Sequence, residues 1–180
     1  MKTIFLFAAA CLLAFSFSFA QTAKKVDENN GFKKYKLGSR YQLVYGSKIK
    51  QADGSDLVKV PAMNEKIGDI PCTSIDLVYI SDVLSRIIVH FEPQQNAKLL
   101  EACKSSFGAS TQDLSAQEGV SQVNRYAWKG GKVTMEYYYR YPKVSGSSNT
   151  VQDLHLAYSY NDYSSKLDNS KKGKYSSKDF

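Results

Sequence analysis

The sequence predicts an α+β fold: an antiparallel sheet of about five to six strands with one main helix packed on one face and a short N-terminal helix. Three observations predict it. Alternating runs flank Gly130-Gly131, and a second pair of alternating apolar runs spans residues 74–91. Between them, from Glu92 to Gly108, apolar residues recur at helical spacing. Strands outnumber helices and are joined mostly by tight turns, which is the antiparallel pattern.

In chain order, Gly38-Ser39 caps a short helix over Arg40 to about Lys48, which Gly46 weakens by roughly 1 kcal/mol. Leu57 to Pro61 adds a strand. A hairpin follows in residues 74–91, with a turn at Ser81-Asp82-Val83 that sets Leu77 opposite Ile87 and Ile75 opposite Val89. Asp76, Val78, Arg86, Ile88 and His90 then share the other face. Glu92-Pro93 opens the main helix, Leu99, Leu100, Cys103 and Phe107 form its apolar stripe, and Gly108 stops it. The second hairpin, residues 121–141, turns on Gly130-Gly131, with Trp128 facing Val133, Tyr126 facing Met135 and Arg125 facing Glu136. The last strand alternates Leu154, Leu156, Tyr158 and Tyr160 against Asp153, His155 and Ala157.

Residues 1–20 read as a secretory signal peptide. Lys2 is the positive end, Ile4 to Phe15 the apolar run, and Ser18-Phe19-Ala20 a small-residue cleavage signature, with the cut between Ala20 and Gln21. The apolar run is too short for a comfortable membrane span. Cys11 is not a lipidation site, because Leu12 to Ala20 stay apolar where a polar tether is needed. The leader holds five of the nine phenylalanines and none of the 13 tyrosines. What remains is tyrosine-rich, which suits a half-wet sheet whose rings bury their bodies and wet their hydroxyls. The rest divides into a flexible N-terminal segment, 21–31, a single domain, 32–160, and a basic disordered tail, 161–180. The absence of an Asn-x-Ser/Thr sequon fits a bacterial envelope, so the expected location is the periplasm or the exterior of a Gram-negative cell.

Export permits a disulfide between Cys72 and Cys103, which would close a loop of about 32 residues and contribute roughly 3–4 kcal/mol. The alternative is two small buried thiols, and the sequence leaves both open.

Three segments, GFKKYKLGS at 31–39, LSRIIVHF with LLEACKSSFG across 84–108, and YAWKGGKVTMEYYY at 126–139, resemble the small exported single-domain proteins of unknown function of Gram-negative, Bacteroidetes-type bacteria. The resemblance implies an α+β fold and an envelope location, and brings no catalytic residue with it.

Chemistry is sparse. His90 and His155 are the two histidines, and with Asp153, Glu92 and Glu136 nearby they are the residues from which a zinc site or an acid–base pair could be built. Without HExxH, CxxC or His-x-His spacing they read as solvated strand residues. No catalytic, cofactor-binding or metal-binding residue is therefore assigned, and no cofactor is expected. Gly-x-Ser-x-Gly is absent, so a serine hydrolase has no motif behind it. A binding face is the sharper reading: Arg86, His90, Tyr138, Arg140 and His155 share the sheet face opposite the helix, where they could dock an envelope protein or a glycan. The lysines near both ends, from Lys24 to Lys36 and from Lys166 to Lys178, could contact anionic polymers, but such residues more commonly solvate chain ends. Export separates the chain from nucleic acid. The sequence thus favours a non-enzymatic binding module, with a small envelope hydrolase of unrecognised site as the alternative.

Overall fold

Period-two alternation turns 47% of the described residues into strand, more than the sequence predicts. The computed structural model describes residues 22–142 and 152–172. A helix, α1, covers residues 22–29 and leads into a small ribbon of β1 (Gly31–Phe32) and β2 (Tyr35–Lys36). Next come β3 (Ile49–Lys50), β4 (Asp56–Pro61), β5 (Lys66–Ile67), β6 (Ile70–Ile80) and β7 (Val83–Phe91). Helix α2 (Asn96–Phe107) crosses to β8 (Gln112–Asp113), β9 (Ala116–Glu118), β10 (Ser121–Lys129), β11 (Val133–Pro142) and β12 (Asp153–Tyr160), and α3 (Tyr163–Lys171) ends the described chain. Ten of these strands form one antiparallel sheet in the order β3-β4-β6-β7-β12-β11-β10-β8, with β5 on β6 and β9 on β10. The protein is therefore mostly sheet, and the expected α+β class with five to six strands is corrected. The surplus is β3, β5, β8 and β9, strands of two or three residues, too short to show alternation.

The β6/β7 hairpin has the expected pairs, Leu77 with Ile87 and Ile75 with Val89. Its turn is shorter than expected: Ser81 and Asp82 alone turn the chain, at φ of 50° and 67°, and a bulge between Val78 and Tyr79 absorbs the extra residue. In the β10/β11 hairpin the register differs by two, with Trp128 facing Met135 and Tyr126 facing Tyr137. A shift of two leaves every side chain on its expected face. The wider loop is held from outside. Asp27 of α1 accepts hydrogen bonds from the amides of Gly131 at 2.7 Å and of Lys132 and Val133 at 3.0 Å. Burial pushes the Asp27 carboxyl up, but these amide bonds outweigh it and hold the group below its ordinary value.

The core lies on one face of the sheet. Val58, Leu77, Ile87, Tyr158, Met135 and Trp128 form one row across six strands, and Ile75, Val89, Leu156 and Tyr137 the next. Leu99 and Cys103 of α2 pack onto these rows, with Val26, Phe32, Tyr35 and Leu37 of the N-terminal segment beside them. Trp128 is fully buried and donates its indole N–H to the Gly108 carbonyl at 2.9 Å, where α2 stops.

Among the described residues, both segments expected to lack order carry a helix. The 21–31 segment, expected to be flexible, contains α1, which buries Val26 and anchors the end of α2 through Thr22 Oγ1 to the Phe107 carbonyl at 2.7 Å. The tail, expected to be disordered, contains α3, with the Arg86 guanidinium over the Tyr163 ring and the Lys166 ammonium over Tyr160. Residues 173–180 of that tail lie outside the described residues, as do the expected signal peptide and the expected Ala20/Gln21 junction. The expected helix over Arg40 to Lys48 is replaced by a single 3-10 turn, Leu43–Tyr45, which Gly46 ends at φ 118°. Arg40 instead bridges to Val83. Among the described residues no helix is long and apolar enough to cross a membrane.

The Asp27 contact has a measurable consequence. A Cβ at Gly130 would meet the Ala23 carbonyl at 3.0 Å and the Asp27 carboxylate closer still. Asp27→Ala and Gly130→Ala should each lower stability by about 1–2 kcal/mol in urea unfolding, and the double variant should lose less than the sum. Additive losses would show that the two sites are independent.

Candidate functional site on the polar sheet face

Pairing across β6, β7, β12 and β11 assembles the opposite face of the sheet. His90 faces His155, and His155 faces Tyr138, so these three stand in one row. Arg140 faces Asp153 two residues along the strands to one side of that row, and Asp76, paired with Ile88, lies on the other side. Because the core rows require this register, the polar row is fixed by the same hydrogen bonds.

The side chains converge as well as align. His155 donates through Nδ1 to Asp153 Oδ2 at 3.1 Å, and His90 donates through Nε2 to Asp76 Oδ2 at 3.2 Å, since an ionised carboxylate can only accept. The second Asp153 oxygen lies 3.9 Å from His90 Nδ1. Potential ligand atoms of His90, Asp153 and His155 all fall within 4.8 Å of one another. Tyr138 stacks on His155 with ring centroids 4.6 Å apart and planes 15° apart, and the Arg140 guanidinium sits over the Tyr138 ring. Arg140 is also paired with Glu118 of β9 at 3.2 Å. The His155 side chain is 15% exposed, His90 28% and Asp153 38%, so the cluster is ordered by its neighbours yet reachable from solvent. The hydrogen bond from His155 holds the Asp153 carboxyl below its ordinary value against the cost of burial, with His90 and Arg140 adding to the effect.

Four of the five residues expected on a binding face therefore come together. The fifth, Arg86, points from the same face but lies under α3, over Tyr163 at 5.6 Å, beside Ser159. Glu136 is also elsewhere, in an ion pair with Arg125 at 2.9 Å, and Glu92 lies beyond the end of β7. The member that sequence reasoning misses is Asp76. Alternation places it on the face of His90, but two-residue spacing carries no sign that its carboxylate reaches across the strand to the imidazole.

The candidate disulfide is absent: Cys72 and Cys103 are both free thiols. Cys103 faces the core from α2, where burial pushes its thiol up to about 12. Burial and the Glu65 charge raise Cys72, on β6, to about 11. Neither is a reactive thiolate near neutral pH.

The chain matches no known protein family, no curated protein and no solved structure. The geometry alone defines the site: a half-exposed row of imidazole, phenol, guanidinium and carboxylate groups on a rigid sheet.

Asp153 is depressed from an ordinary value of 3.8. Its charge therefore stabilises the fold fully above that value, and the contribution disappears as pH falls through the lowered one. The stability difference between the wild type and Asp153→Asn should be larger at pH 5 than at pH 3, shrinking below pH about 4. A difference independent of pH down to 2 would show that the His155–Asp153 bond contributes nothing to it.

Proposed function

We propose that the chain is an exported envelope protein that acts by binding, without catalysis, and that a partner protein docks on the polar sheet face around His90, Tyr138, Arg140 and His155. The observation that supports this reading is the convergence of these side chains, with Asp76 and Asp153, from four adjacent strands onto one partly exposed patch. Such a patch offers directed donors and acceptors at fixed spacing, which is what specific recognition needs. A protein suits it better than a glycan. Tyr138 already stacks on His155 and is flanked by Arg140, so its ring is not a free platform for a sugar. A hydrolase has less support, since among the described residues neither histidine is hydrogen-bonded to a serine or cysteine. Export rests on the leader, Lys2 through Ala20, and on the resemblance to exported Gram-negative proteins.

Two outcomes are expected. Mass spectrometry of the chain from the cell envelope should find Gln21 at the N-terminus; an uncleaved chain recovered only from cytosol would overturn export. Tyr138→Ala and Arg140→Ala should each weaken cross-linking to envelope proteins at least tenfold, whereas Lys98→Ala, on the exposed side of α2, should leave it unchanged. Equal cross-linking in all three variants would overturn the docking face.

A further inference from the structure

Within the polar face, three groups form a donor set of a particular kind. We infer that His90, Asp153 and His155 bind a single divalent transition-metal ion of the zinc class, with Asp76 orienting His90 from behind. This rests on reading the face as the binding surface, and names the first ligand it takes.

Two imidazoles and one carboxylate are borderline donors, suited to Zn²⁺ and its neighbours rather than to Ca²⁺ or Mg²⁺, which prefer all-oxygen shells. Zinc bonds of about 2.0–2.1 Å in a tetrahedral site set ligand atoms about 3.3 Å apart. Here Asp153 Oδ2 already lies 3.1 Å from His155 Nδ1 and Asp153 Oδ1 lies 3.9 Å from His90 Nδ1, and with one ligand atom taken from each residue no separation exceeds 4.8 Å. Small side-chain rotations close that difference while the strands stay in place. The metal would take His155 Nδ1 in place of the hydrogen atom now shared with Asp153, and the imidazole would carry its proton on Nε2 instead.

The surroundings fit the role. His90 gives its Nε2–H to Asp76 at 3.2 Å, the carboxylate–imidazole arrangement that fixes the tautomer and aims the other ring nitrogen at a metal. That leaves Nδ1 facing Asp153. Asp76 and Asp153 supply two negative charges to offset the dication. Arg140, whose charge also acts on Asp153, is paired with Glu118 at 3.2 Å. The ligands stand on β7 and β12, hydrogen-bonded neighbours inside the sheet, so little conformational entropy is lost on binding. Three protein ligands leave the fourth position of a tetrahedral ion open to water or to a donor from a docked partner.

The test is calorimetric titration of the purified protein with ZnCl₂. One zinc per chain is expected. His155→Ala and Asp153→Ala should weaken it at least tenfold and Asp76→Asn about 10–100-fold, whereas Lys98→Ala, on the exposed side of α2, should leave it unchanged. Imidazole nitrogen resonances of His90 and His155 in the wild type should move on zinc addition, a readout that holds even where a variant unfolds. Absence of binding, resonances that do not move, or undiminished binding by folded His155→Ala would overturn the site. If zinc fails to bind while cross-linking still depends on Tyr138 and Arg140, the metal is refuted and the docking face stands. Zinc binding without that dependence upholds the metal site and refutes the docking face.

Discussion

The pairing of β7 with β12 is the interaction on which the rest of the structure depends. The chain builds two antiparallel meanders, one ending at β7 and one at β12, with α2 crossing between them. Among the described residues, only this seam joins them into one sheet. On one side it sets Ile87 against Tyr158 and Val89 against Leu156, which makes the core rows continuous; on the other it sets His90 against His155. A slip of β12 by one residue against β7 would turn His155 into the core and Leu156 and Tyr158 out to water. The apolar face therefore positions the polar one, and the site needs no scaffold of its own.

A second constraint comes from the start of the described chain. Helix α1 fastens two distant points, the end of α2 through Thr22 and the loop of the β10/β11 hairpin through Asp27. Trp128 completes the triangle by donating to the carbonyl at which α2 ends. Three elements that share the apolar core are thus also held by polar contacts around one buried indole. Each such contact satisfies a backbone group left over at a helix end or loop.

Faces are legible in this sequence and partners are not. Alternation places Leu77, Ile87, Leu156 and Tyr137 inward and Asp76, His90, Tyr138 and His155 outward, and the structure agrees at each of these positions. The register of the β10/β11 hairpin is less legible, because the nearby Gly-Gly pair reads as a two-residue turn while the residue that widens the loop, Asp27, is about a hundred positions away. Helices α1 and α3 escape a search for periodic apolar residues because α1 buries little beyond Val26 and α3 buries no residue fully. The site is half-legible for the same reason: its members share a face by rule, but which carboxylate meets which imidazole follows from strand order.

The short outer strands bear on how this molecule meets others. Where the sheet ends, β3, β8 and β9 offer two or three residues each, and the longer β4 finishes in Pro61, which has no amide hydrogen to give. A rim so interrupted is a poor template for a foreign strand and protects a wide sheet from stacking edge to edge into fibres. Association through the backbone is discouraged at the margins, and the side chains near the middle of the sheet are left to choose the company it keeps.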